Sequence, residues 1–108
     1  LKRGQQDLIT IGTKIIKKIP LQIIKKYNLK IVKTEVEAGS GSLPLEKLPS
    51  AALQFSSGIK ATELSQKFRL AEIPILGYIK GKKFYIDLKA IPPEKEEIII
   101  LTLNKILS

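Results

Sequence analysis

The chain contains no cysteine, no histidine, no methionine and no tryptophan. Without cysteine or histidine there is no thiolate or imidazole metal site. There is no Cys–His or Ser–His nucleophile pair, and no side chain that ordinarily titrates near neutral pH. Disulfides are excluded, which is compatible with a reduced, cytoplasmic setting. No apolar run reaches the ~18 residues that a membrane span needs, so no membrane partner is expected. No basic-then-apolar leader is visible at the start. A lysine-rich chain short of thermolabile side chains suits a thermophile. The chain begins at Leu1, not Met, and the expectation is a piece of a longer protein.

What is present is 108 residues, 44% of them hydrophobic, enough for one domain (1–108) with one modest core. The net charge is +9, unevenly spread. Residues 1–33 hold nine basic residues against one acid, Asp7; the remainder hold ten basic and nine acidic. The positive field is therefore N-terminal. Such a patch attracts polyanions by counterion release, or is simply a solvated lysine face.

Periodicity predicts the elements. Over residues 5–19, Leu8, Ile11, Ile15 and Ile19 make one helical stripe, with Lys14, Lys17 and Lys18 off it near the C-terminal end. Gly12 weakens that helix slightly. Pro20 ends it and can open a second short helix that stops near Asn28. Residues 29–37 alternate as a strand, with Val32, Thr34 and Val36 on one face and Lys33, Glu35 and Glu37 on the other. A second strand is expected over 51–56. A helix follows with Ala61, Leu64 and Phe68 on one side, and Pro74 marks its exit. PILGYIK and KFYIDLK are two strands joined at Gly81-Lys82, where a glycine in the first central position suits a type II′ turn. The last helix opens at Pro93 with Glu94, Glu96 and Glu97 at its positive end. The expected class is α+β: a small, mostly antiparallel sheet of about four strands with helices packed on one face, in the order ααββαββα.

No motif completes an active site. GSGSLPLEKLPS (39–50) offers a run of backbone N–H groups but lacks the following Lys-Ser or Lys-Thr of a nucleotide P-loop. Its Leu43, Leu45 and Leu48 ask for burial, and Pro44 and Pro49 fix local geometry. It therefore reads as a shaped connection. Glu35 and Glu37 read as a solvated sheet face. Lys17-Lys18 and Lys25-Lys26 are placed to meet a phosphate backbone, with Tyr27 the one aromatic nearby. Tyr78 and Tyr85 are read as a cross-strand packing pair, with a stacking surface as the alternative.

Two segments bring a resemblance. The glycine-rich stretch followed by S-L-P and L-P-S (Gly39, Gly41, Ser42, Leu43, Pro44, Leu48, Pro49, Ser50) is similar to the C-terminal region of the bacterial selenocysteine synthases, the L-seryl-tRNA(Sec) selenium transferases. Phe68-Arg69, Pro74, Gly77 and Asp87-Leu88 keep the order of that family's next elements. The resemblance covers residues 5–107. It departs at Tyr78 and Lys89, where the family often carries arginine, whose two-pronged grip neither residue reproduces.

The resemblance implies a pyridoxal-phosphate enzyme that converts seryl-tRNA(Sec) to selenocysteinyl-tRNA(Sec) with selenophosphate. This chain would be its small C-terminal domain. The cofactor-binding lysine would lie in the protein's own large domain, so no catalytic, cofactor-binding or metal residue is carried over and the piece alone would be inactive. The family forms homo-oligomers, decamers in bacterial cases. Gly39, Ser40, Gly41 and Ser42 would border the active site, and Lys17, Lys18, Lys25 and Lys26 would help attract tRNA. The competing expectations are a free-standing basic α+β RNA-binding module, or a plain structural or dimerisation domain with exposed apolar surface.

Overall fold

A computed structural model describes residues 4–38 and 46–108. The glycine-serine stretch Gly39 to Ser42 lies outside the described residues, as do Leu43, Pro44 and Leu45.

The elements follow the expected order, helix-helix-strand-strand-helix-strand-strand-helix. They are α1 (Gln5–Lys17), α2 (Leu21–Tyr27), β1 (Lys30–Ala38), β2 (Glu46–Phe55), α3 (Ala61–Arg69), β3 (Tyr78–Lys80), β4 (Lys83–Asp87) and α4 (Glu96–Leu107). Two 3-10 turns, Leu88–Ala90 and Pro93–Lys95, sit between β4 and α4. The strands form one antiparallel sheet in the order β1-β2-β4-β3.

The helices cover one face. On α1, Leu8, Ile11 and Ile15 are buried, as their spacing requires. Gly12 is buried with them, because a Cβ there would lie 2.9 Å from Leu88 Cδ1 and 3.0 Å from Ile31 Cδ1. The glycine that weakens the helix locally is what lets it lie close on the sheet. On α3, Phe68 meets Phe55 of β2 and Phe84 of β4, with ring centroids 5.6–5.9 Å apart. All three phenylalanines of the chain thus form one cluster joining α3 to the two central strands, in the separation that aromatic pairs favour. Asn28 closes α2 in the left-handed conformation, φ 48° and ψ 49°.

Four sequence expectations need correction. First, β2 begins at Glu46, five residues before the expected start at Ala51. Residues 46–50 pair with Thr34–Ala38 of β1, so the L-P-S end of the connection is strand. Pro49 is tolerated because β4 pairs with Ala52–Phe55, leaving the earlier half of β2 with β1 as its single neighbour among the described residues. Second, β3 begins at Tyr78 and not at Pro74. The Ile75 N–H donates to the Phe68 carbonyl at 3.0 Å, tying that segment to the end of α3. Gly77 then presses on β4 so closely that a Cβ would lie 2.3 Å from the Tyr85 carbonyl oxygen. Third, the β3–β4 turn has positive φ at both central residues, 57° at Gly81 and 64° at Lys82. That is the type I′ signature, not II′. Fourth, β4 ends at Asp87, two residues before the expected Lys89, because the chain turns there into the 3-10 helix Leu88–Ala90, whose Lys89 N–H the Asp87 side chain accepts. The alternation along β1 is as expected, with Ile31 toward α1 and Val32, Thr34 and Val36 on the uncovered face.

Candidate nucleic-acid interface

The basic cluster is built from two helix ends. Lys17 closes α1, Lys18 caps it, and Lys25 and Lys26 stand in the last turn of α2. All four are exposed. Cations suit these positions because each helix C-terminus carries the negative end of its dipole. Among the described residues none of the four has a carboxylate within ion-pair distance; the ion pair found is Lys105–Glu72, at 3.9 Å. Tyr27, the one aromatic near them in the sequence, does not reach the surface as a ring. It is buried in the core, and the Lys26 ammonium lies 5.3 Å from its ring centroid. This patch can attract phosphates but offers no base a ring to stack on.

A ring surface exists elsewhere, on the uncovered face of the sheet. Tyr78 of β3 is directly opposite Tyr85 of β4. Their rings are parallel within 7° with centroids 5.0 Å apart. Desolvation, then the nearby Asp87 carboxylate and Tyr85, push the Tyr78 phenol above its ordinary value of 10.0. Gln54 of β2 donates its Nε2 to the Tyr85 hydroxyl at 3.1 Å. Its Oε1 has no partner, nor has the buried Oγ1 of Thr34. A concave space of about 800 Å³ is lined by Val32, Thr34, Gln54, Tyr78, Lys80 and Tyr85 among others. Glu35 and Glu37 are exposed at its β1 side, with Lys47 directly opposite Glu37.

Beside this face the two motif segments meet. The Ser50 hydroxyl donates to Asp87 Oδ1 at 2.9 Å, and the same oxygen accepts the Lys89 N–H at 2.9 Å. The Gln5 side chain donates to the Ser50 carbonyl at 2.9 Å. Sequence reasoning found the L-P-S and D-L segments separately. Their contact depends on a strand register that spacing alone does not reveal.

Pyridoxal phosphate does not fit the described residues. A lysine that forms a Schiff base is activated by desolvation in a closed pocket. Every lysine in residues 4–38 and 46–108 is exposed except Lys83, which is half-buried at the hairpin. No step through that cofactor is derived for this chain.

Comparison with known proteins agrees with the resemblance seen in the sequence. The sequence model of the L-seryl-tRNA selenium transferase family matches residues 1–92. An L-seryl-tRNA(Sec) selenium transferase of Alkaliphilus oremlandii is 37% identical over 78 residues, 71% of this chain and 17% of that protein. The Proteus mirabilis protein of the same name is 31% identical over 107 residues, 95% of this chain and 23% of that one. The Shewanella oneidensis protein is 32% identical over 96 residues, 87% of this chain and 20% of its own length. The chain therefore spans between 17% and 23% of these relatives.

Proposed function

Because the chain belongs to the L-seryl-tRNA selenium transferase family, we propose that it is the small C-terminal domain of an enzyme converting seryl-tRNA(Sec) to selenocysteinyl-tRNA(Sec) with selenophosphate. The observation that carries this reading is the family match over residues 1–92 of a chain that spans about a fifth of its relatives. In this reading the cofactor chemistry belongs to the protein's own large pyridoxal-phosphate domain, in the cytoplasm and within a homo-oligomer, a decamer by analogy with the bacterial family. This chain contributes no catalytic residue. Leu70 and Leu101, 73% and 70% exposed, give that larger domain apolar surface to cover. Gly39–Ser42, which follow β1 in the sequence, border the active site.

Lys17, Lys18, Lys25 and Lys26 draw in the tRNA. What supports this is their exposure and their freedom from carboxylates among the described residues. The experiment is tRNA binding by the 108-residue chain across a salt series, beside a variant with the four lysines changed to glutamate. The expected result is weak, nonspecific binding on the order of 10⁻⁴ M near physiological salt, with a log–log salt slope that flattens in the variant. Equal affinity and slope in both proteins would remove the lysines from the reading. Specific micromolar binding would favour a free-standing RNA-binding module.

A further inference from the structure

We propose that the uncovered sheet face, between the Tyr78–Tyr85 stack and the buried Gln54 amide, holds unpaired nucleotides of an RNA. Four features of the face converge on that ligand.

The first is the ring surface. Tyr78 sits on the edge strand β3 and is 39% exposed, with Tyr85 stacked on one side of it. Among the described residues no strand lies beyond β3 to cover its other side. A base has a π-face of its own and stacks on such a ring whatever its sequence.

The second is unmet hydrogen bonding. Gln54 is only 6% exposed, yet one end of its amide has no partner, and the Thr34 Oγ1 on the neighbouring strand is in the same state. A buried polar group left unpaired is costly, so each one asks for an explanation. Both residues line the concave space of about 800 Å³. The exocyclic amines, ring nitrogens and ribose hydroxyls of a nucleotide are the donors and acceptors that would satisfy them.

The third is charge. Lys80 and Lys83 are directly opposite across the hairpin, on the same side of the sheet as the tyrosines. Among the described residues neither has an ion-pair partner. Like charges in directly opposed positions destabilise a strand pair, and a phosphate between them reverses the sign of that effect. Of the acidic residues near it, Glu35 and Glu37 belong to β1 at the other side, and Asp87 stands at the end of β4 away from Lys83, with one carboxylate oxygen taken by the Ser50 hydroxyl and the Lys89 N–H. The phosphates therefore lie over β3 and β4, and the bases point toward Gln54.

The fourth is shape. Bases inside a duplex are covered on both faces by their neighbours, so a ring platform of this kind can read only unstacked ones. The choice of RNA over other nucleotide sources rests on the tRNA reading above. The binding chemistry rests on the face alone.

The test uses the 108-residue chain, a short unpaired oligoribonucleotide, the same sequence as a duplex, and the corresponding mononucleotides. Tyr78→Ala should weaken binding of the unpaired oligomer about tenfold. Tyr78→Phe should restore it, and duplex binding should not change with either. Lys80→Gln with Lys83→Gln should reduce the log–log salt slope by about one. In the unsubstituted protein, amide resonances of Tyr78, Tyr85 and Gln54 should shift on adding the unpaired oligomer. Shifts confined to α1 and α2, no binding, or equal losses for oligomer and duplex in Tyr78→Ala would each overturn the proposal. So would a mononucleotide that binds as tightly as the oligomer, which would make this a free-nucleotide site. None of these oligomers is a substrate, so failure here leaves the transferase reading intact, and the four-lysine experiment can fail without touching this one.

Discussion

The hydroxyl of Ser50 donates to Asp87 Oδ1 at 2.9 Å, just beyond the last ladder pair between β2 and β4, Ala52 with Asp87. One carboxylate oxygen thereby continues the strand contact past its last backbone pair. It also caps the 3-10 turn Leu88–Ala90 through the Lys89 N–H. Ser50 is completely buried, so its hydroxyl has no water to fall back on.

Asp87→Ala should therefore lower stability by about 1–3 kcal/mol, the range for leaving buried donors unpaired. Asp87→Asn should cost less, because the amide oxygen still accepts. Urea unfolding of the two variants measures both. A midpoint unchanged in Asp87→Ala would mean the contact carries no weight.

Gly77 and Gly81 should respond differently to alanine. A Cβ at Gly77 would lie 2.3 Å from a backbone oxygen of β4, which cannot move without breaking the ladder, whereas at Gly81 nothing lies within 4 Å. Gly81→Ala meets only the cost of a positive φ, about 1–2 kcal/mol. Gly77→Ala should exceed ~4 kcal/mol or prevent folding. Thermal melts that place the two substitutions level would contradict the close approach.

Tyr78 should ionise above pH 10.0, the direction set by desolvation and then by Asp87 and Tyr85. A phenol whose folded value is raised binds its proton more tightly in the folded chain than in the unfolded one. Its stabilising contribution is complete below pH 10.0 and is lost as pH rises from there through the folded value. The difference in ultraviolet titration between the natural chain and Tyr78→Phe isolates this group. Asp87→Asn should move the step back toward 10.0. A Tyr78 step at or below that value would show the face to be more open than described.

Much of the fold was legible because apolar spacing dominates it. The stripe Leu8–Ile11–Ile15, the α3 face of Ala61, Leu64 and Phe68, and the inward Phe84 and Ile86 are all buried as their periods require. What was not legible depends on pairing between distant segments. The early start of β2 contradicts the local preference of proline, and only the missing neighbour on one side of Pro49 allows it. The delayed start of β3 is set by Gly77 against Tyr85, a contact with no local signature. The lysines of the N-terminal patch could be read directly from charge density. The Gln54–Tyr85–Tyr78 face could not, because Gln54 lies in an apolar run and its neighbours come from β1, β3 and β4.

The most direct measurement of the account is product formation by the purified 108-residue chain given seryl-tRNA(Sec), selenophosphate and pyridoxal phosphate, with tRNA retention followed in the same samples. The expected result is salt-sensitive retention of tRNA and no selenocysteinyl-tRNA. Selenocysteinyl-tRNA made by this chain unaided would contradict it.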